Sequence, residues 1–213
     1  PVDFNFEASG GFVQESSIGT VGIIAVAGYD NSWTGREGYQ ETGQIDAGAL
    51  EAVNSYQFQS NQNDVQLNFL GSISLSQQDH EVKWTNFFVR STTKEARSRQ
   101  GPDFRAGGSV LRQGFTEWFV RQLFSSQLSG EHFFMDGDLG VNWRAAYAKS
   151  TPDAPYETMF GYGQNAAGDF IHDIDSNLIS FSELDDTSLS GGLDVSYTVP
   201  LSSAREVNRP ELA

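Results

Sequence analysis

From Val2 onward the chain alternates. Val2, Phe4, Phe6, Ala8, Gly10 and Phe12 fall on one parity, and Asp3, Asn5, Glu7, Ser9 and Gly11 on the other. Successive side chains of an extended strand point to opposite sides, so this pattern builds one apolar face and one polar face. The same parity returns at Val65, Leu67, Phe69, Gly71, Ile73 and Leu75, again at Leu139, Val141, Trp143, Ala145 and Tyr147, and again at Leu189, Leu193, Val195 and Tyr197. Segments 19–33, 81–94 and 116–134 alternate less cleanly but are rich in Val, Phe, Trp and Thr, which suit a pleated surface. Nowhere does a three-four apolar repeat specify a helix. The pattern predicts an all-β chain of about seven antiparallel, up-and-down strands.

Short polar turns are expected near 15–19, 77–80, 135–138 and 200–203, and Asp136-Gly137 suits a tight hairpin because Gly tolerates positive φ. Between them, 34–54, 95–113 and 152–176 are rich in Gly, Asn, Gln, Arg and Asp and read as long loops. Short turns then lie at one end and long loops at the other, as in outer-membrane barrels. The polar parity is mostly Ser, Asn, Gln, Thr and Gly, which fits a lumen better than a soluble surface. Phe12, Trp33, Trp84, Trp118, Phe133, Phe134 and Tyr147 would supply interface girdles. A soluble sandwich alternates too, so the second expectation is an exported all-β binding module, such as an adhesin or a carbohydrate-binding sandwich.

Composition narrows the functional classes. The 213 residues include 28 Asp and Glu, 13 Lys and Arg, and no Cys, a net charge of −15. An acidic chain is a poor match for nucleic-acid phosphates, so no nucleic-acid partner is expected. Without Cys there are no disulfides, thiolate nucleophiles or Cys-ligated metals. The longest apolar run, around 21–27, is too short for a membrane helix. With no initiator Met and no signal-peptide pattern before the first strand, the chain reads as a segment or processed product of something longer.

Several stretches have a familiar wording. RQLFSSQLSGEH at 121–132, VNWRAAYAKS at 141–150, DAPY at 153–156 and the ascent 80–90 with KWTNFF resemble the barrel of TonB-dependent outer-membrane receptors. The resemblance covers roughly residues 2–199 and its motifs mark strands rather than chemistry. It implies a partial transmembrane β-barrel over 1–213 with no plug domain, in the outer membrane of a Gram-negative bacterium. It further implies active, non-enzymatic transport of a scarce small-molecule nutrient, a ferric siderophore foremost and a cobalamin or saccharide less often. The implied partners are outer-membrane lipid and lipopolysaccharide, and an inner-membrane energy-coupling protein reached through the plug; no cofactor is implied. Full-length relatives of that type have a plug and a larger barrel ending in an aromatic residue, whereas this chain ends in Leu-Ala, so it is expected to be a middle piece.

No catalytic motif is present: there is no G-x-S-x-G, H-E-x-x-H, phosphate-cradling Gly loop or GxGxxG. Adjacent Asp185 and Asp186 would point to opposite faces of a strand. His80 and His132 flank short turns and are expected to be solvated. Asp169, His172, Asp173 and Asp175 form the densest set of ligand-type side chains, at a spacing that matches no defined metal motif. Charge is the more telling feature. Arg90, Lys94, Arg97, Arg99, Arg105, Arg112 and Arg121 cluster against Glu95, Asp103 and Glu117, a local +4, while 153–186 has eight acids and no base. A basic outward loop would attract anions such as ferric chelates. Arg97, Arg99, Arg105, Arg112, Arg121 and Arg144 are the expected ligand-binding residues, with Arg121 and Arg144 facing the lumen on the polar parity. Pairing of the basic with the acidic segment, or contact with lipopolysaccharide phosphates, would use the same charges.

Overall fold

A computed structural model of the protein describes residues 2–172 and 176–199. The strands are β1 (Phe4–Ser16), β2 (Gly19–Asp46), β3 (Ala49–Gln77), β4 (His80–Asp103), β5 (Ser109–Phe134), β6 (Leu139–Gln164), β7 (Phe170–His172), β8 (Leu178–Glu183) and β9 (Asp186–Tyr197). Each of the first six pairs antiparallel with the next, as the up-and-down reading requires. β7, β8 and β9 all pair with β6, at Tyr162–His172, Thr158–Ile179 and Ala145–Gly191 in turn. They are three stretches of one returning path, so nine strands occupy seven positions. The sheet is open, with β1 at one edge and this interrupted path at the other.

Most of each stretch expected as a long loop is strand. Residues 34–46 and 49–54, 95–103 and 109–113, and 152–164 all continue the ladder. The chain reverses tightly at Ala47-Gly48, in the 3-10 turn Phe104–Ala106 and near Asn165. Gly48 at φ 86° follows Ala47 at φ 46°, the left-handed pair of a two-residue hairpin. These projecting stretches looked like loops because both of their faces are polar, so parity has no signal there. Their backbone groups nonetheless find partners across the ladder, which is what defines a strand. Both ends of the sheet therefore close tightly. What differs is how far the strands run beyond the apolar stretch. The turns near 15–19, 77–80 and 135–138 fall as expected, while 200–203 lies outside the described residues. The β5–β6 turn is longer than a two-residue hairpin, with positive φ at Met135, Asp136 and Gly137.

The register aligns the apolar parities into one face. A single row runs Phe12, Ile23, Ile73, Trp84, Leu128, Ala145, Gly191 across all seven positions. Phe4, Phe6, Val65, Phe69, Val141, Trp143, Leu193 and Val195 share that face, while Asn68, Asn142 and Asp194 lie on the other, as the parity predicts. Of the expected girdle aromatics, Phe133 is a correction: it pairs with Gly140 on the polar face. The polar face also holds an apolar island, Val26, Leu70 and Phe87 in one row with Val89 and Leu123 in the next. That island is why 19–33 and 81–94 alternate poorly.

No second layer covers the apolar face among the described residues. Phe69 is 44% exposed and Trp84 49%, and the buried apolar side chains are Val53, Tyr56, Val120 and Ala154. Local packing comes from aromatics lying over cross-strand glycines. The Trp143 indole covers Gly130 and the Phe160 ring covers Gly114, where a Cβ would overlap the ring. Trp143 Nε1 then donates to His132 Nε2 at 2.9 Å. Gly130→Ala should expel the indole, break that bond and cost about 1–3 kcal/mol. Chemical denaturation followed by tryptophan emission, with Trp143→Phe as reference, reads both effects. An unchanged midpoint and spectrum would contradict this packing.

Candidate functional site

Above the apolar stretch, the polar face of β2 to β6 gathers charge and aromatic surface. β4 sets Glu95, Arg97 and Arg99 on this face at every second residue. Arg97 Nε reaches Glu95 Oε1 at 3.3 Å, and its guanidinium lies 5.8 Å from the Phe115 ring centre on β5. Arg99 is more tightly held. Its Nε donates to Gln113 Oε1 at 2.7 Å and its Nη1 to Gln40 Oε1 at 3.4 Å. The same guanidinium sits 4.7 Å from the Tyr56 ring and 5.2 Å from Phe115, within cation–π range. An Arg held between two aromatic faces keeps its charge while losing little entropy on meeting an anion.

Below these arginines runs a row of like charge. Glu95 pairs with Glu117, and Glu117 with Glu157. Neighbouring carboxylates on adjacent strands repel. Arg97 relieves the row at Glu95, and Ser180 Oγ donates to Glu157 Oε2 at 2.9 Å at the other end. Among the described residues no group of three or more His, Asp or Glu is arranged to hold a metal ion. Of the acidic set 169–175, Asp173 and Asp175 lie outside the described residues. His172 meets Tyr162 edge-on at 5.7 Å, and the Asp169 backbone N–H donates to Asn165 Oδ1.

The basic cluster expected from sequence is divided by the pleat. Arg97, Arg99, Arg121 and Arg144 lie on the polar face, Arg121 stacked 4.5 Å over Phe119. Arg112 lies on the opposite face, donating to Gln100 Oε1 at 2.9 Å and stacked 4.2 Å over Phe170. Arg105 sits in the turn, where its backbone N–H donates to Asp103 Oδ1. Arg144 lines a cleft of about 370 Å³ near the opposite end, with Glu81, Lys83, Glu131, Asn142 and Asp194. The six arginines are thus not one patch. Residues 90–121 form no ion pair with 153–186 among the described residues; Arg97 turns to Glu95, and Lys149 to Asp185 at 3.2 Å.

The expectation of two solvated histidines is also corrected. His80 and His132 are cross-strand neighbours, with Nδ1 atoms 3.3 Å apart. Trp143 donates to His132 Nε2, which in a neutral His132 leaves Nδ1 as the protonated nitrogen facing His80. Phe134 packs on both rings. The register that pairs Asp103 with Ser109 runs unbroken down to this pair, so a tight β4–β5 turn was the signal that would have found it.

Tyr56 is 4% exposed and its hydroxyl donates to Asp103 Oδ2 at 3.2 Å. Burial raises its phenol pKa most, the Asp103 charge and hydrogen bond raise it further, and Arg99 and Arg105 pull it down. Asp103→Asn should therefore lower the Tyr56 titration and Arg99→Gln should raise it, as read by ultraviolet titration against Tyr56→Phe. Since the fold favours the neutral phenol, Tyr56 contributes stability that is fully present below about pH 10, where the unfolded phenol begins to ionise, and is lost as pH rises from there through its raised folded value. Shifts of the opposite sign would refute this environment.

No family model matches this chain, and no curated protein matches it.

Proposed function

We propose that the chain is part of a transmembrane β-barrel in a Gram-negative outer membrane, within a non-enzymatic active-transport receptor. The nutrient is scarce and small, a ferric siderophore foremost, and entry is driven from the inner membrane through a plug and its coupling protein. The observation that carries this reading is the single apolar face. On β3 it runs from Val65 to Leu75, ten residue steps or about 33 Å along the strand. Tilted as barrel strands are, that is roughly the 25 Å height of the apolar band in such proteins. A soluble sandwich would need a second sheet against this face, and its aromatics would be buried rather than about half exposed.

Two measurements test the membrane reading. Phe69→Arg should weaken insertion by about 2–4 kcal/mol, whereas Asn68→Arg on the other face should be far milder. Lipids brominated along the acyl chain should quench Trp84 and Trp143. Equal effects of the two substitutions, or no quenching, would favour a soluble binding module.

The transport reading places the ligand against Arg97 and Arg99 with Tyr56 and Phe115 on the inner face. These charges, exposed at Arg97 and half-buried at Arg99, would speed encounter with an anionic chelate more than they tighten the complex. Arg97→Gln with Arg99→Gln should slow association most at low ionic strength, and the difference should shrink once the screening length falls to about 8 Å. Stopped-flow binding across a salt series reads it; an on-rate indifferent to both substitutions at every salt concentration removes these arginines from the site.

A further inference from the structure

His80 and His132 meet in the closest kind of strand pair. The Phe133 backbone N–H donates to the Asp79 carbonyl at 2.8 Å. That bond joins the residue after His132 to the residue before His80. The two histidines are therefore a non-hydrogen-bonded pair, the type whose side chains approach most closely. Both are half-buried on the face that bears the apolar band. Phe134 lies 5.1 Å from the His80 ring and 6.3 Å from the His132 ring, and the Trp143 ring is within 21° of parallel to His132. Glu81 and Glu131, their sequence neighbours, lie on the other face, and neither histidine has an ion-pair partner among the described residues. The pair is walled by aromatic rings, with its two Nδ1 atoms turned toward each other.

Those atoms stand 3.3 Å apart. An ion held by both at the usual imidazole distance of about 2.1 Å would see them at an angle of about 105°. That lies between the cis angle of an octahedron and the angle of a tetrahedron. Two neutral imidazoles on a fixed sheet suit Cu²⁺, Ni²⁺ or Zn²⁺, whereas Ca²⁺ and Mg²⁺ call for oxygen ligands.

Trp143 is coupled to this geometry. In the neutral pair the His132 proton sits on Nδ1 and His80 accepts it there, so His80 carries its own proton on Nε2. An ion bound to both Nδ1 atoms leaves the His80 proton in place and moves the His132 proton to Nε2, with none released. That N–H then faces the Trp143 Nε1–H, two donors meet, and the 2.9 Å bond is lost.

We propose that His80 and His132 form a two-histidine chelate for one divalent transition-metal ion, completed by water, and that Trp143 holds His132 in the non-binding tautomer until the ion arrives. The site needs only the β4–β5 register and is independent of the membrane reading above.

The test titrates the complete protein, in detergent and without a histidine tag, with Cu²⁺ alone. Electron paramagnetic resonance should show one bound Cu²⁺ with two imidazole nitrogens. His80→Gln or His132→Gln should leave one nitrogen and weaken binding on the order of 100-fold, because the sheet presents the second ligand at a high effective concentration. Trp143→Phe should tighten binding about three- to tenfold, the net worth of the hydrogen bond that no longer has to break. A damaged fold would lose the ion, so tightening cannot be mistaken for misfolding. A parent spectrum with no more than one imidazole, or a Cu²⁺ affinity indifferent to His80→Gln, overturns the site. An affinity in Trp143→Phe no tighter than the parent's overturns the coupling to the indole. Either failure leaves the quenching of tryptophan by brominated lipid, and with it the membrane reading, untouched.

Discussion

An apolar sheet face with nothing packed on it must meet some other apolar phase. That constraint governs the whole molecule. The backbone ladder satisfies its own polar groups and holds seven strand positions in register, but a ladder alone does not remove Phe69, Trp84 or Leu193 from water. Exposed apolar patches on soluble monomers rarely exceed a few hundred Å², and this one crosses every strand. The fold is stable only if something outside the described chain covers the band. A bilayer, the covering phase proposed above, would do so without requiring a complementary surface, which would let the apolar face be irregular in shape while strict in parity.

Parity made the banded half of each strand legible in the sequence. Where one face is buried in an apolar phase, a one-residue slip would invert every side chain, so the pattern must be strict. Beyond the band both faces carry polar side chains, and the demand for parity ends. Residues 34–54 and 95–113 consequently read as loops although their backbones stay in the ladder. That single misreading had further costs. It hid the register that brings His80 to His132, and it made the arginines look like one loop patch when the pleat divides Arg97 and Arg99 from Arg112. The same reasoning explains Phe133, an aromatic near a strand end whose parity puts it on the polar face. Nothing in composition marked Tyr56 as buried. Its position depends on the β4 crossing at Gly101, where a side chain would strike the Ser55 backbone.

The edges of the sheet impose a second constraint. β1 presents Phe4, Phe6 and Phe12 on the same face that β9 presents with Leu189, Leu193 and Val195, so the band reaches both margins of the sheet. Among the described residues each margin also leaves a row of backbone N–H and C=O groups without a ladder partner. In water those groups are solvated, but within hydrocarbon each unsatisfied group costs several kcal/mol. The proposed setting therefore demands more than contact with lipid: strands from elsewhere must pair with both margins. The band and the edges thus make separate demands. Lipid answers the first, and only barrel closure answers the second. A soluble partner sheet could cover the face, yet it would leave both edges open to further pairing.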